Sequence, residues 1–142
     1  MNRMTFSHIA LNCQAPLSLE RFYTKYFGFK RARVYAPGPD QVVMIKSENL
    51  YLELFKSTGP SPRGLPEKDG FTETGYRHLA FKVDDLDATL AELGDAVEPR
   101  LGPIDMGQFI PGMRTAWVAD PEGNIIELAQ GYVDEEDPPA LD

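Results

Sequence analysis

The stretch RHLAFKV, Arg77 to Val83, repeats SHIALNC, Ser7 to Cys13, once the two are aligned at their histidines. Both read His, an aliphatic residue, Ala and a large apolar residue. His8 and His78 are the only histidines in the chain, and both occupy this place. Side chains alternate between the two faces of a strand. Ile9, Leu11 and Cys13 therefore share one face of the first copy, with His8, Ala10 and Asn12 on the other. In the second copy Leu79, Phe81 and Val83 share a face, and His78, Ala80 and Lys82 oppose them. Each histidine thus projects from the more polar face of a half-buried strand.

A second pair follows. YLELF, Tyr51 to Phe55, contains Glu53, and NIIELAQ, Asn124 to Gln130, contains Glu127. A carboxylate inside an apolar strand is costly unless something pairs with it. The copies are offset by 70 residues at the histidines and 74 at the glutamates. One duplication accounts for both pairs. The segments between them give the same order twice, β-α-β-β-β. Strands are expected at 5–13, 29–36, 41–47 and 50–56, and again at 76–83, 96–101, 113–119 and 124–130. Pro16 opens the first helix and Gly28 ends it, with Leu19, Phe22, Tyr23, Tyr26 and Phe27 as a packing stripe. Asp84-Asp85 caps the second, which carries Leu86, Leu90 and Leu93 and stops at Gly94. Asp120 to Asn124 reads as hairpin turn chemistry.

The expected class is α+β: one domain over 1–142, with module 1 at 5–56, module 2 at 76–131 and a Pro/Gly-rich linker at 57–75. Residues 133–142 form an acidic tail expected to be disordered. Net charge is −8, of which that tail supplies five acids and no base. Such a balance argues against nucleic acid and anionic membrane as partners. The start lacks the apolar run of a signal peptide, no stretch is long enough to span a bilayer, and the lone Cys13 suits a reducing cytoplasm.

Two imidazoles and two carboxylates from four strands suit one first-row divalent ion, and zinc, nickel, cobalt, manganese and ferrous iron all fit such mixed donors. Around these residues the chain resembles the vicinal oxygen chelate superfamily, which holds glyoxalase I, methylmalonyl-CoA epimerase, extradiol dioxygenases and the fosfomycin and bleomycin resistance proteins. SHIAL, LERFYTKYFGF, YLELF, GYRHLAFKVDDLD and VADPEGNIIEL carry the resemblance over residues 5–131, and the long connection with GYRHLAFKVDD is most similar to small glyoxalase-like bacterial proteins of the YaeR type. The resemblance implies two βαβββ modules forming a curved mixed sheet around a metal cup, with His8, Glu53, His78 and Glu127 as ligands. It implies a homodimer acting on a small oxygen-chelating substrate as a lyase or isomerase through an enediolate, with Glu127 or Glu53 moving the proton. Extradiol ring cleavage is an alternative, although this chain has no further histidine for it. A non-catalytic drug-binding protein is another, although such relatives typically lose the ligands kept here. Glutathione transfer to fosfomycin fits less well, because Glu53 is surplus to a three-ligand set. Asn12 stands where glyoxalase I members often carry an arginine that grips glutathione, and no Asn follows Glu53, which argues against a glutathione adduct. Arg77, Lys82, Arg114 and Tyr35 are candidates for contacting an anionic substrate, and Met106, Phe109 and Met113 for an apolar pocket wall. Ordinary solvation or packing is the favoured reading of each.

Overall fold

The computed structural model describes residues 2–141. The chain divides into two units. The first runs to Leu65 and takes in Asp120–Asn124; the second comprises Pro66–Ala119 and the chain from Ile125 onward.

The first unit holds β1 (Ile9–Cys13), α1 (Pro16–Phe27), β2 (Lys30–Ala36), β3 (Val42–Ser47) and β4 (Leu50–Lys56). Its sheet has the order β1-β4-β3-β2. β1 runs parallel to β4, and the other neighbours are antiparallel. α1 packs its aromatic stripe on this sheet: Leu19, Phe22 and Tyr23 are buried, and the Tyr23 and Phe29 rings meet edge to face at 5.5 Å. Tyr26 and Phe27 are only half-buried. Gly28 ends the helix in the left-handed region, φ 71°, where a Cβ is unfavourable.

A polar cluster fastens the helix to the sheet edge. Buried Glu20 of α1 accepts from both Arg31 nitrogens, Nε at 2.7 Å and Nη2 at 2.8 Å, and from Gln41 Nε2 at 2.9 Å. Burial alone would raise the Glu20 pKa. The hydrogen bonds from Arg31 and Gln41, with the charges of Arg31 and Arg21, outweigh it and leave the group below its ordinary value.

The second unit repeats the pattern with β5 (Leu79–Lys82), α2 (Leu86–Leu93), β6 (Glu98–Asp105), β7 (Arg114–Ala119) and β8 (Ile125–Gln130). Its sheet order is β5-β8-β7-β6, again with only the β5–β8 pair parallel. Asp85 caps α2 as expected, accepting from Ala88 N at 3.0 Å, and Gln130 Oε1 accepts from Leu86 N at 2.8 Å. The linker is partly tied to this unit. Asp69 is buried against Arg77 at 2.6 Å, and Arg100 donates to the carbonyls of Lys68 and Pro66.

Several element boundaries differ from the sequence reading. β1 and β5 begin later than 5 and 76, at Ile9 and Leu79. In register, β4 reaches back only to the level of Ser7 and β8 only to that of His78, so residues ahead of these have no partner strand to join. Residues 94–96 form a short 3-10 turn, and β6 runs on to Asp105. Gly102-Pro103 does not stop that strand, because a register shift between Leu101 and Ile104 absorbs it.

Gly102 sits at φ 84°, and an added Cβ would lie 2.9 Å from the Thr115 carbonyl oxygen and 3.1 Å from Ile104 N. Both are backbone atoms of a sheet and cannot swing aside. Gly102→Ala is expected to cost about 2–4 kcal/mol, from left-handed strain plus the clash. A lowered urea midpoint at unchanged m-value checks this.

Candidate metal-binding pairs

In each unit a histidine stands one residue ahead of the parallel strand, two residues before an alanine. Ala10 pairs with Glu53 across β1–β4, and Ala80 pairs with Glu127 across β5–β8. Alanine leaves room on that face, so the glutamate reaches diagonally to the histidine. His8 Nε2 lies 3.4 Å from a Glu53 oxygen, and His78 Nε2 lies 3.2 Å from a Glu127 oxygen. All four side chains are one-sixth to one-third exposed, accessible to an ion yet largely desolvated.

The spacing fits donors sharing a cation. At a metal–donor distance of about 2.1 Å, neighbours subtending 90–109° lie roughly 3.0–3.4 Å apart. A direct hydrogen bond to nitrogen has its upper limit near 3.2 Å, so the His78–Glu127 spacing also suits a direct bond, whereas the 3.4 Å of His8–Glu53 exceeds it. The donor set, neutral imidazole with carboxylate, suits a divalent first-row ion. Among the described residues no three His, Cys, Asp or Glu side chains gather at one point. What the structure brings together is His8 with Glu53 and His78 with Glu127.

The outer support of the two pairs is unequal. His8 Nδ1 lies 2.8 Å from Ser7 Oγ, whereas the corresponding residue before His78 is Arg77, and the buried His78 Nδ1 has no hydrogen-bond partner among the described residues. For the carboxylates the support is reversed. Thr115 Oγ1 lies 2.9 Å from Glu127 Oε1. Thr115 is fully buried in β7. It was not among the sequence candidates, and its signal was a hydroxyl in the otherwise apolar run TAWVA. Trp117 lies directly across from Glu127 in the ladder, and its buried indole Nε1 has no hydrogen-bond partner among the described residues.

The other candidates are placed as follows. Arg114 forks onto Asp87 of α2, at 3.0 and 3.1 Å, on the helix side of its sheet, opposite to Thr115 and Glu127. Arg77 is engaged by Asp69. Lys82 shares the His78 face, its ammonium 5.2 Å above the Tyr132 ring, and Tyr35 is exposed on β2. Phe109 lines a surface cavity of about 710 Å³ in the second unit, together with Ile110, Tyr132 and Val133. Met106 and Met113 instead close the base of that loop through Met106 N to Met113 O at 2.9 Å. Cys13 lies on the opposite face of β1 from His8. Burial, followed by the nearby Glu122 and Asp120 charges, pushes its thiol up to about 11, which makes it an unreactive packing group.

Two βαβββ modules, each with a His–Glu pair at the same register, define the class. The chain belongs to the Glyoxalase/Bleomycin resistance protein/Dioxygenase superfamily, whose model matches residues 5–128. A glyoxalase family protein from Enterococcus faecalis is 26% identical, with 88% of this chain and 96% of that one covered and a TM-score of 0.65. FosX, a fosfomycin resistance protein from Listeria monocytogenes solved with Mn(II) and sulfate, has the same fold at 17% identity and a TM-score of 0.65, covering 93% and 96%. A glyoxalase family protein from Bacillus cereus reaches a TM-score of 0.71 at 14% identity, covering 92% and 95%. No curated protein matches the sequence. Among the described residues no helix is long and apolar enough to cross a membrane.

Proposed function

We propose that this chain is a divalent-metal-dependent, glyoxalase I-like lyase or isomerase acting on a small substrate that presents two neighbouring oxygens. The observation that carries this reading is the recurrence of one His–Glu pair at one register in both modules. Four donors, His8, Glu53, His78 and Glu127, would complete a set for one ion, with one pair taken from each module. A homodimer in the cytoplasm is the setting we infer for it.

A bound cation supplies Lewis-acid stabilisation of the oxyanion that develops when a carbon acid next to a carbonyl is deprotonated. The chain's own residues do the rest. With both histidines used as ligands, the remaining bases at the site are Glu53 and Glu127. One of these carboxylates removes the proton from the carbon beside the carbonyl and returns it to the neighbouring carbon. Partial desolvation of the pairs strengthens each of these interactions relative to water. With Asn12 in place of a glutathione-gripping arginine, the substrate class we favour is a hydrated 2-oxoaldehyde, R–CO–CH(OH)2, or a related 2-hydroxy-carbonyl compound, whose carbon-bound proton beside the carbonyl can be moved without glutathione.

Elemental analysis of the purified protein is expected to give about one divalent ion per chain. The loaded protein should then catalyse exchange of the carbon-bound proton of such a substrate with deuterated solvent. A chain that takes up none of zinc, nickel, cobalt, manganese or ferrous iron on titration would overturn the reading. Metal binding accompanied by oxygen uptake with catechols, and by no proton exchange, would replace it with a ring-cleaving dioxygenase.

A further inference from the structure

We propose that Thr115 is a positioning residue that fixes the Glu127 carboxylate, and that the two modules divide the work of orienting their metal donors. This inference rests on the metal-binding reading above and concerns a residue outside the four donors.

The argument starts from what each donor touches. Module 1 steadies its histidine: Ser7 Oγ stands 2.8 Å from His8 Nδ1 and fixes the ring while Nε2 faces Glu53. Among the described residues, Glu53 has no hydrogen-bonding hydroxyl or amide side chain. Module 2 steadies its carboxylate: Thr115 Oγ1 stands 2.9 Å from Glu127 Oε1 while Oε2 faces His78. Among the described residues His78 Nδ1 has no hydrogen-bond partner. The difference is written in the sequence at equivalent registers. Met44 lies across from Glu53, and Trp117 lies across from Glu127. Two residues earlier on the same strands stand Val42 and Thr115. Valine offers the same shape as threonine without the hydroxyl, so the first module cannot make this bond.

Packing makes the Thr115 contact directional. The residue is fully buried, and a β-branched side chain in a central strand is stiff at χ1. Its hydroxyl lies 2.9 Å from the carboxylate and 3.1 Å from the Leu128 carbonyl oxygen. It carries a single proton, and the charge-assisted bond to the carboxylate is the stronger of the two. One Glu127 oxygen is therefore held inside the sheet, and the other is turned toward the histidine and the ion. Outer partners of this kind hold a ligand in a productive rotamer before the metal arrives. Glu53, without such a hold, keeps more rotamer freedom.

The test is metal affinity, measured by chelator competition with Co(II) and Ni(II), together with the visible spectrum of the Co(II) protein. Thr115→Val and Thr115→Ala remove the hydroxyl; Thr115→Ser keeps it. The first two are expected to weaken binding by about 10–100-fold and to alter the Co(II) bands, with folding confirmed by circular dichroism. The serine variant should stay within about threefold of wild type with the same spectrum. A merely structural threonine would leave the spectrum of every folded variant unchanged. If the valine variant does not fold, the alanine and serine pair decides. Wild-type affinity and an identical spectrum in the hydroxyl-free variants would overturn the inference while leaving the metal site standing. A wild-type protein that binds no cation would instead remove the metal-binding reading, and this inference with it.

Discussion

His78→Ala and His8→Ala are each expected to abolish stoichiometric metal retention, with affinity falling by more than about 100-fold. That exceeds the roughly 10–100-fold loss typical of an outer partner, because a ligand itself is removed. The stoichiometry carries further information. If the two His–Glu pairs serve one ion, the wild-type chain binds one equivalent and either single variant binds essentially none. If each pair held its own ion, the wild type would bind two equivalents and each variant one. Co-expression of a His8→Ala, Glu53→Ala chain with a His78→Ala, Glu127→Ala chain separates the remaining arrangements. A site built from module 1 of one chain and module 2 of another is regenerated once in every mixed dimer, since one combination of modules is wild type. A site built within one chain is regenerated in none. The measured quantity is bound metal per dimer in the isolated mixed species, with turnover as a second readout.

How much of this was legible in the sequence depends on what a residue touches. The duplication was readable because two scarce histidines sit in matching contexts, and a strand's period of two then placed each on a defined face. The glutamates were readable because apolar neighbours made them conspicuous. The pairing of each His with its own Glu followed only from the parallel register, Ala10 with Glu53 and Ala80 with Glu127, which single-strand patterns do not encode. Thr115 escaped notice because a threonine in a strand is unremarkable by propensity; only its burial and its neighbour give it a role. Arg114 illustrates the opposite case. Its charge made it a candidate substrate contact with ordinary solvation or packing the favoured reading, and its position on the strand turns it to the helix side, where Asp87 takes it. The late starts of β1 and β5 were invisible because the partner strand, not the residues at 5–6 or 76–77, sets how far back a ladder can reach.

Asp120→Ala is expected to lower stability by about 3 kcal/mol, moving the melting temperature down by roughly 10 °C. The DPEGN segment reads in sequence as a plain hairpin turn, but its first residue is buried and does more. Asp120 Oδ1 accepts from Glu122 N at 2.8 Å and Asn124 N at 3.0 Å. Oδ2 accepts from Tyr23 Oη at 2.7 Å and Asn124 Nδ2 at 2.9 Å. The turn is thereby bound to α1 within the first unit. The same turn sends Glu122 to the start of α1, where its two oxygens accept from Gln14 N and Ala15 N. Ala15 has no polar side chain to cap the helix, so this carboxylate replaces the missing cap and suits the positive end of the helix dipole. Alanine at 120 would strand four donors, whereas asparagine keeps one acceptor and costs about 1 kcal/mol. Acidity separates the two buried carboxylates of this unit. Burial raises the Asp120 pKa above its ordinary value, and the bonds from Asn124 and Tyr23 only partly offset it. The proton-linked part of its contribution is therefore complete below the ordinary carboxylate range and is lost as pH rises through the raised value. Glu20, held below its ordinary value, contributes above that range and is lost as pH falls through the lowered value. Urea midpoints for wild type and Asp120→Asn should accordingly differ more at pH 4 than at pH 7, while those for wild type and Glu20→Gln should differ more at pH 7. The reverse order in either comparison would show that the carboxylate is not held in the protonation balance these contacts impose.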